Sequence, residues 1–197
     1  MYARFSLVGG VIAAVAAMVA AAAASVAPPP NVAKAGALVY CSDMTYPPEE
    51  SLQDGKPVGS DIDIAAAVAR LMGVKARFKQ VGFDGLIAAL LTKRCDAVIS
   101  GMTDNAQRRK QVDFADYMAL GYSLVVAKGN PHHVTGLASL SGLRVAVQSG
   151  TSEKDTLEAR NKLFAKRQRK PIRIEIFAKD SGAAAAMSMS EPTGLPS

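Results

Sequence analysis

A short apolar run, Asp96-Ala97-Val98-Ile99-Ser100, constrains this chain more than any other part of it. It is rich in β-branched residues and too short for a buried helix, so it predicts a strand covered on both faces. Such strands belong to open α/β sheets, which bind ligands at the C-terminal ends of their strands. Here that end is Gly101-Met102-Thr103-Asp104, followed by small and polar residues and then Arg108 and Arg109. A backbone turn, the Thr103 hydroxyl and the Arg108 guanidinium together make a receiver for a small carboxylate, because two parallel arginine donors match its two oxygens. A solvated basic turn has the same spacing, and the residues alone leave the two readings even.

Around this run the chain alternates strand and helix patterns. Residues 38–41 predict a strand, and residues 42–48 a loop at its C-terminal end, where Pro47 and Pro48 hold Tyr46 extended as a platform. Asp43 lies three residues before Tyr46, and Glu49-Glu50 follows the prolines, so this wall carries acid. Asp43 hints at a cationic ligand, although it is equally suited to capping its own loop. Residues 53–59 form a hairpin-like turn. Ser60 or Asp61 then caps a helix whose apolar stripe is Ile64, Ala65, Val68, Leu71 and Met72, ended by Gly73. Residues 75–81 read as a strand, and Phe83, Leu86, Ile87, Leu90 and Leu91 have helical spacing. Residues 118–127 read as a long strand broken at Gly121. A short helix over 136–140 precedes a strand over 143–148, and Ser149-Gly150-Thr151-Ser152 opens a helix running to about Phe164. Glycine and hydroxyls at such a turn receive anions through free N–H groups and the helix dipole. Ser152 with Asp155 is equally an ordinary cap. A strand over 172–177 and a helix from Asp180 complete the pattern.

The 197 residues, 49% of them hydrophobic, suffice for one large domain or two small lobes. A net charge of +6 with only 6% aromatic residues leaves few rings for bases to stack on, so no nucleic-acid partner is expected. The basic tail of Lys162, Lys166, Arg167, Arg169 and Lys170 reads as a solvated face. Residues 1–27 combine Arg4, an uncharged Ala/Val-rich run and small residues before Pro28-Pro29-Pro30, which reads as a cleaved secretory signal followed by an extended linker over 28–36. Export permits a disulfide. Yet Cys41 near the end of one strand and Cys95 at the start of another should lie more than about 10 Å apart in parallel neighbours, which predicts two buried thiols. No metal or cofactor is expected, because His132 and His133 sit in a Gly-Asn-Pro loop without a third ligand.

The segment Ser100-Gly101-Met102-Thr103, Arg108 and Val112-Asp113-Phe114 resembles the signature of the family 3 periplasmic solute-binding proteins, the polar amino-acid receptors of ABC importers, and the resemblance runs from about Leu38 to Phe177. It implies a periplasmic binding protein-like type II α/β fold, two lobes each with a mainly parallel sheet flanked by helices. Lobe 1 would span 37–127 and a partial lobe 2 128–187, with the strand over 118–127 as hinge. The resemblance implies that Arg108 grips a ligand α-carboxylate with Ser100, Gly101 and Thr103. Thr151 and Ser152 would oppose from the second lobe, and Tyr46 and Phe83 would flank the ligand's side chain.

It further implies a monomeric, non-enzymatic periplasmic receptor that delivers an amino acid to an inner-membrane ABC permease. The family pattern continues past Asp180, whereas residues 188–197 have no helical or strand period and read as a disordered tail, so the second lobe is expected to be incomplete and the chain a truncated product. Two rivals stand beside this. One is an enzyme on the same fold, resembling a cyclohexadienyl dehydratase, with Glu49 or Glu50 as general acid; the other is a non-functional truncated chain.

Overall fold

The computed structural model describes residues 26–188. The secretory signal expected over 1–27 lies outside the described residues except for its last two positions, and the disordered tail expected over 188–197 except for Ser188.

Pro30 starts helix α1 (Pro30–Ala35), where its fixed φ suits the first turn, and Gly36 ends it in the left-handed conformation. Val32 in this turn is buried and joins the core of Leu38, Tyr40, Ala65, Ala69 and Ile99. The extended linker expected over 28–36 is therefore corrected: an apolar contact at Val32 repays the ordering of a short helix. Strand β1 (Ala37–Ser42) follows, buried at nearly every position. β2 (Thr45–Tyr46), β3 (Glu50–Gln53) and β4 (Lys56–Val58) make a small antiparallel sheet, with Asp54 and Gly55 at the hairpin turn.

Helix α2 (Ser60–Leu71) then starts without a side-chain cap, because Gly59 is the N-cap and Asp61 turns inward to other partners. Strand β5 (Lys75–Gln80), a 3-10 turn over Phe83–Gly85, helix α3 (Leu86–Leu91) and strand β6 (Ala97–Val98) complete a parallel sheet of order β5-β1-β6. Its register sets Tyr40 beside Ala97 and Cys41 beside Val98. The strand expected over 96–100 is shortened at both ends: Asp96 accepts the Val39 N–H at 2.9 Å and Asn31 Nδ2 at 2.9 Å through its carboxylate, and Ile99 and Ser100 lie beyond the last strand residue.

The second unit pairs β7 (Arg144–Gln148) with β8 (Arg173–Phe177) in parallel, joined by helix α4 (Ser152–Lys166). Leu140, Val147, Leu157, Phe164 and Ile172 form its core. Helix α5 (Asp180–Ser188) packs on β7 and β8 and reaches β2 of the first unit.

Two expectations are overturned. Cys41 and Cys95 form a disulfide, with Cα atoms 5.7 Å apart, inside a core with Leu86 and Ala89. Cys95 is not part of a straight strand but of the turn after α3, where Lys93 takes positive φ and Arg94 N–H returns to the Ala89 carbonyl. That bend carries its sulfur over β1, which a strand-rise estimate cannot foresee. Residues 118–127 form no strand either: none of the three sheets takes them up, and Leu120, Tyr122 and Val125 are exposed. Without a neighbour to receive its N–H and C=O groups, an apolar run has no ladder to join.

Candidate functional site

The C-terminal ends of β1 and β6 are tied together beneath the expected site. Ser42 Oγ donates to Glu50 Oε2 at 2.7 Å, and Ser100 Oγ donates to Glu50 Oε1 while accepting the Asp43 N–H at 3.1 Å. Asp61 takes the Gly101 N–H on Oδ2 at 3.1 Å and the Tyr117 hydroxyl on Oδ1 at 2.8 Å. Both carboxylates are fully buried. Burial pushes the Glu50 carboxyl up to about 8 against the opposing hydrogen bonds from Ser100 and Ser42, and Asp61 beside it adds to the rise. Tyr117 is likewise pushed up, by burial first and then by Asp61. Glu50 was placed on the acidic wall of the pocket by its position after the prolines. That placement is corrected, because the β3 pairing turns the side chain into the core.

Gly101, at φ 53°, brings its backbone under Tyr46, whose ring would meet a Cβ there at 3.3 Å. A side chain there would press on the ring and strain a backbone conformation that favours glycine. The Tyr46 hydroxyl is raised by burial first and then by the charges of Glu49, Asp180, Glu153 and Asp61.

Arg108 opens a short 3-10 turn, Arg108–Lys110, started by Asn105 Oδ1 accepting the Arg108 N–H at 2.9 Å. Its side chain is only 8% exposed, unlike those of Arg109 and Lys110. Nη1 donates to the Thr103 carbonyl at 2.6 Å and Nη2 to the Gly150 carbonyl at 3.0 Å, while the guanidinium lies 5.8 Å from the centre of the Phe83 ring. Among the described residues it makes no ion pair. Burial lowers its pKa, partly opposed by Asp155, Glu153 and Tyr122. Arg109 instead pairs with Asp104, Nε to Oδ1 at 2.7 Å. A cavity of about 230 Å³ opens beside Arg108 between Asn105, Gln107, Gln111, Gly150, Lys154 and Asp155, with Ile87 as its apolar side. Asp43, Tyr46 and Phe83 do not line it.

From the second unit, the end of β7 and the start of α4 meet these groups. Thr151 is the N-cap of α4, its Oγ1 accepting the Lys154 N–H at 3.3 Å and donating to the Gln148 carbonyl at 2.8 Å. Ser152 Oγ donates to Thr103 Oγ1 at 3.2 Å and accepts the Tyr122 hydroxyl at 2.9 Å. Gln148, buried at the last position of β7, donates from Nε2 to Asp43 Oδ2 at 2.8 Å. Asp43 also receives the Thr45 hydroxyl on Oδ2 and Gln80 Nε2 on its carbonyl at 3.2 Å.

The fold thus brings Thr103, Arg108, Phe83 and Ser152 together at one junction between the units, and Asp43 with Gln148 at another. The hydroxyls of Ser100 and Thr151 are engaged within the protein, holding the strand end and the helix start. Sequence reasoning missed Gln148, Asp61 and Tyr117. Gln148 was legible as the last residue of a strand pattern, the position where α/β sheets put their ligands, whereas nothing local marks Asp61 as a partner of Gly101.

A family model for bacterial extracellular solute-binding proteins, family 3, matches residues 38–186. The L-cystine-binding protein TcyJ of Escherichia coli (strain K12) is 36% identical over 129 residues, which cover 64% of this chain and 48% of that protein. The chain therefore spans about half the length of such relatives. Among solved structures, the ancestral amino acid-binding protein AncCDT-1, a precursor of cyclohexadienyl dehydratase, matches with a TM-score of 0.74 at 32% identity over 81% of this chain and 69% of that one. An ancestral arginine-binding protein bound to arginine matches with a TM-score of 0.72 at 36% identity, over 78% and 66% respectively.

Proposed function

Because this chain belongs to the bacterial extracellular solute-binding proteins of family 3, we propose that it receives a polar amino acid at the junction of its two units, with Arg108 holding the ligand's α-carboxylate. The observation that carries this reading is the state of Arg108. A guanidinium kept in place by two backbone carbonyls, one from each unit, and by the face of Phe83 has its geometry fixed but no carboxylate partner among the described residues. A ligand carboxylate supplies that partner at the strength of a charge-assisted, bidentate pair. Thr103 and Ser152, already in contact across the junction, line the same approach. Thr151 stands at the N-terminus of α4, where the helix dipole favours a negative group. Tyr46, fixed over Gly101, serves as the platform for the ligand's side chain.

The favoured ligand is cationic. Asp43 brings a carboxylate to the boundary between the units, where the neutral amide of Gln148 meets it. An ammonium or guanidinium is the stronger donor to that oxygen. The arginine-binding protein among the structural neighbours supports this class. A disulfide in the core of the first unit suits an oxidising compartment, and with the leader it supports a periplasmic receptor that passes its ligand to an inner-membrane ABC permease.

Titration calorimetry of the full chain with arginine and with agmatine, the same side chain without the carboxylate, tests the clamp. Arginine should bind at least about tenfold more tightly. Equal affinities for the two would sink the carboxylate role of Arg108.

A further inference from the structure

The second unit carries a charged pole that the proposed receptor site does not use. Between Glu158 and Glu175 the sequence holds seven basic residues and no acidic one. The fold gathers five of them, Lys166, Arg167, Arg169, Lys170 and Arg173, with Arg144, at the N-terminal ends of β7 and β8. Arg144 and Arg173 are register neighbours in the sheet, and Arg173 Nη2 donates to the Gly142 carbonyl at 3.3 Å. Lys170 lies against the same glycine, its Cβ and Cδ each 3.6 Å from where a Gly142 Cβ would stand, and its carbonyl accepts Ser141 Oγ at 2.9 Å. Lys166 and Arg167 end helix α4 beside them, and Arg169 stacks over the buried Phe164 ring at 4.6 Å. All six side chains are exposed, and the acid paired among them is Glu175, 3.6 Å from Arg144. Cations at the last turn of a helix are also where its dipole favours them, so the cluster costs the fold little despite its self-repulsion.

We infer that this pole is a docking surface for an anionic lipid bilayer. Clustered lysines and arginines at a negatively charged leaflet gain from its surface potential within a Debye length, with no need for a shaped pocket. Leu163, 43% exposed on the same end of α4, offers an apolar contact at headgroup depth. The nearby Phe164 ring is covered by Arg169, so it cannot stack a base, which disfavours a single-stranded nucleic acid as the polyanion. Gln148 stands at the opposite end of β7, about 13 Å away along a five-residue strand, so a docked pole leaves the receptor site uncovered by lipid. The inference is independent of which ligand that site takes.

Co-sedimentation of the full chain with vesicles tests it, comparing phosphatidylcholine alone with about half phosphatidylglycerol. The difference between the two vesicle types isolates the electrostatic part from any apolar insertion by the leader. Partitioning should be at least about tenfold stronger to the anionic vesicles at low salt and should vanish near about 0.5 M salt. The variant Lys166→Gln/Arg167→Gln/Lys170→Gln should lose the preference while keeping the wild-type melting curve. Equal binding to both vesicle types, a variant that still prefers anionic vesicles, or tighter binding to a single-stranded oligonucleotide than to the anionic vesicles would each overturn it. The salt titration of the unaltered chain decides the matter even if the variant folds poorly.

Discussion

Gln148 Nε2 and Asp43 Oδ2, 105 residues apart in sequence, meet at 2.8 Å and join the end of β7 to the end of β1. Both side chains are buried, so the bond is shielded from competing water. It belongs with two other links across the junction, Arg108 to the Gly150 carbonyl and Ser152 to Thr103. The units therefore meet through polar contacts at strand ends and helix starts, while the apolar cores of each unit stay separate. A polar junction of this kind is easily exchanged for contacts with a polar ligand, because each bond broken between units has a replacement of the same chemistry.

Replacing Asp43 by Asn tests what the carboxylate contributes. Asn keeps an acceptor for Gln148 and Thr45 but removes the charge, so the junction should persist. Affinity for a cationic amino acid such as arginine should fall about tenfold, the difference between a charged and a neutral hydrogen bond. Affinity for glutamine should change less than about twofold. Calorimetry with the two ligands reads this directly, and an equal loss for both would mean that Asp43 only shapes its loop.

The disulfide between Cys41 and Cys95 closes a loop with a sequence separation of 54. Restricting the unfolded chain to that loop stabilises the first unit by about 4 kcal/mol in the chain-entropy account. Reduction, or the double change Cys41→Ser/Cys95→Ser, should lower the urea midpoint accordingly. A midpoint unmoved by reductant would place the two sulfurs apart in solution.

The alternation of strands and helices was legible because each apolar stripe has one period and one face to cover. β1, β5, β7, β8, α2 and α4 start within a residue or two of where Leu38, Lys75, Leu143, Ile172, Ser60 and Ser152 suggested. Arg108 was singled out by its place just beyond a strand end, but local order left a solvated turn equally open, and its burial depends on the Gly150 carbonyl and the Phe83 ring, both distant in sequence. What was not legible depends on chain bends and on contacts distant in sequence. Cys95 reaches Cys41 only because the chain turns at Lys93, and Glu50 turns inward only because Ser42 and Ser100 supply hydroxyls from two other strands. Residues 118–127 have the composition of a strand, but pairing depends on a neighbour that no local pattern reveals.

Glu50 makes stability depend on pH in a direction opposite to that of a carboxylate whose pKa is lowered on folding. Its folded pKa, about 8, stands above the ordinary value of 4.5. The folded state therefore holds a proton that the unfolded chain has released. This contribution is complete below about pH 4.5 and is lost as pH rises through about 8, at up to about 1.4 kcal/mol per pH unit between. Glu50→Gln keeps the hydrogen bonding of a protonated carboxyl and should flatten the profile over that window. Urea melts at pH 5, 6.5 and 8 check it, and parallel profiles for the wild type and the variant would show that Glu50 carries no such proton.

Gly150 offers a way to separate closure from folding. It adopts φ 76°, and a Cβ on it would lie 2.7 Å from Asp84 Cα and 2.8 Å from Asp84 Cβ, atoms of the first unit. Gly150→Ala therefore sets a methyl group against the Asp84 backbone, so that one unit must shift from the other beside the Gly150 carbonyl that receives Arg108, and adds about 1 kcal/mol of local strain from the left-handed backbone. The second unit's own core, around Val147 and Leu157, lies elsewhere and should stay packed. Melting should thus shift by only a few degrees, whereas amino-acid affinity should drop by at least about tenfold as the junction is held open and Arg108 loses its second carbonyl. Small-angle scattering of the variant should show a larger radius of gyration than the wild type. A variant that binds as tightly as the wild type would mean that the approach of Asp84 to Gly150 is not needed for ligand capture.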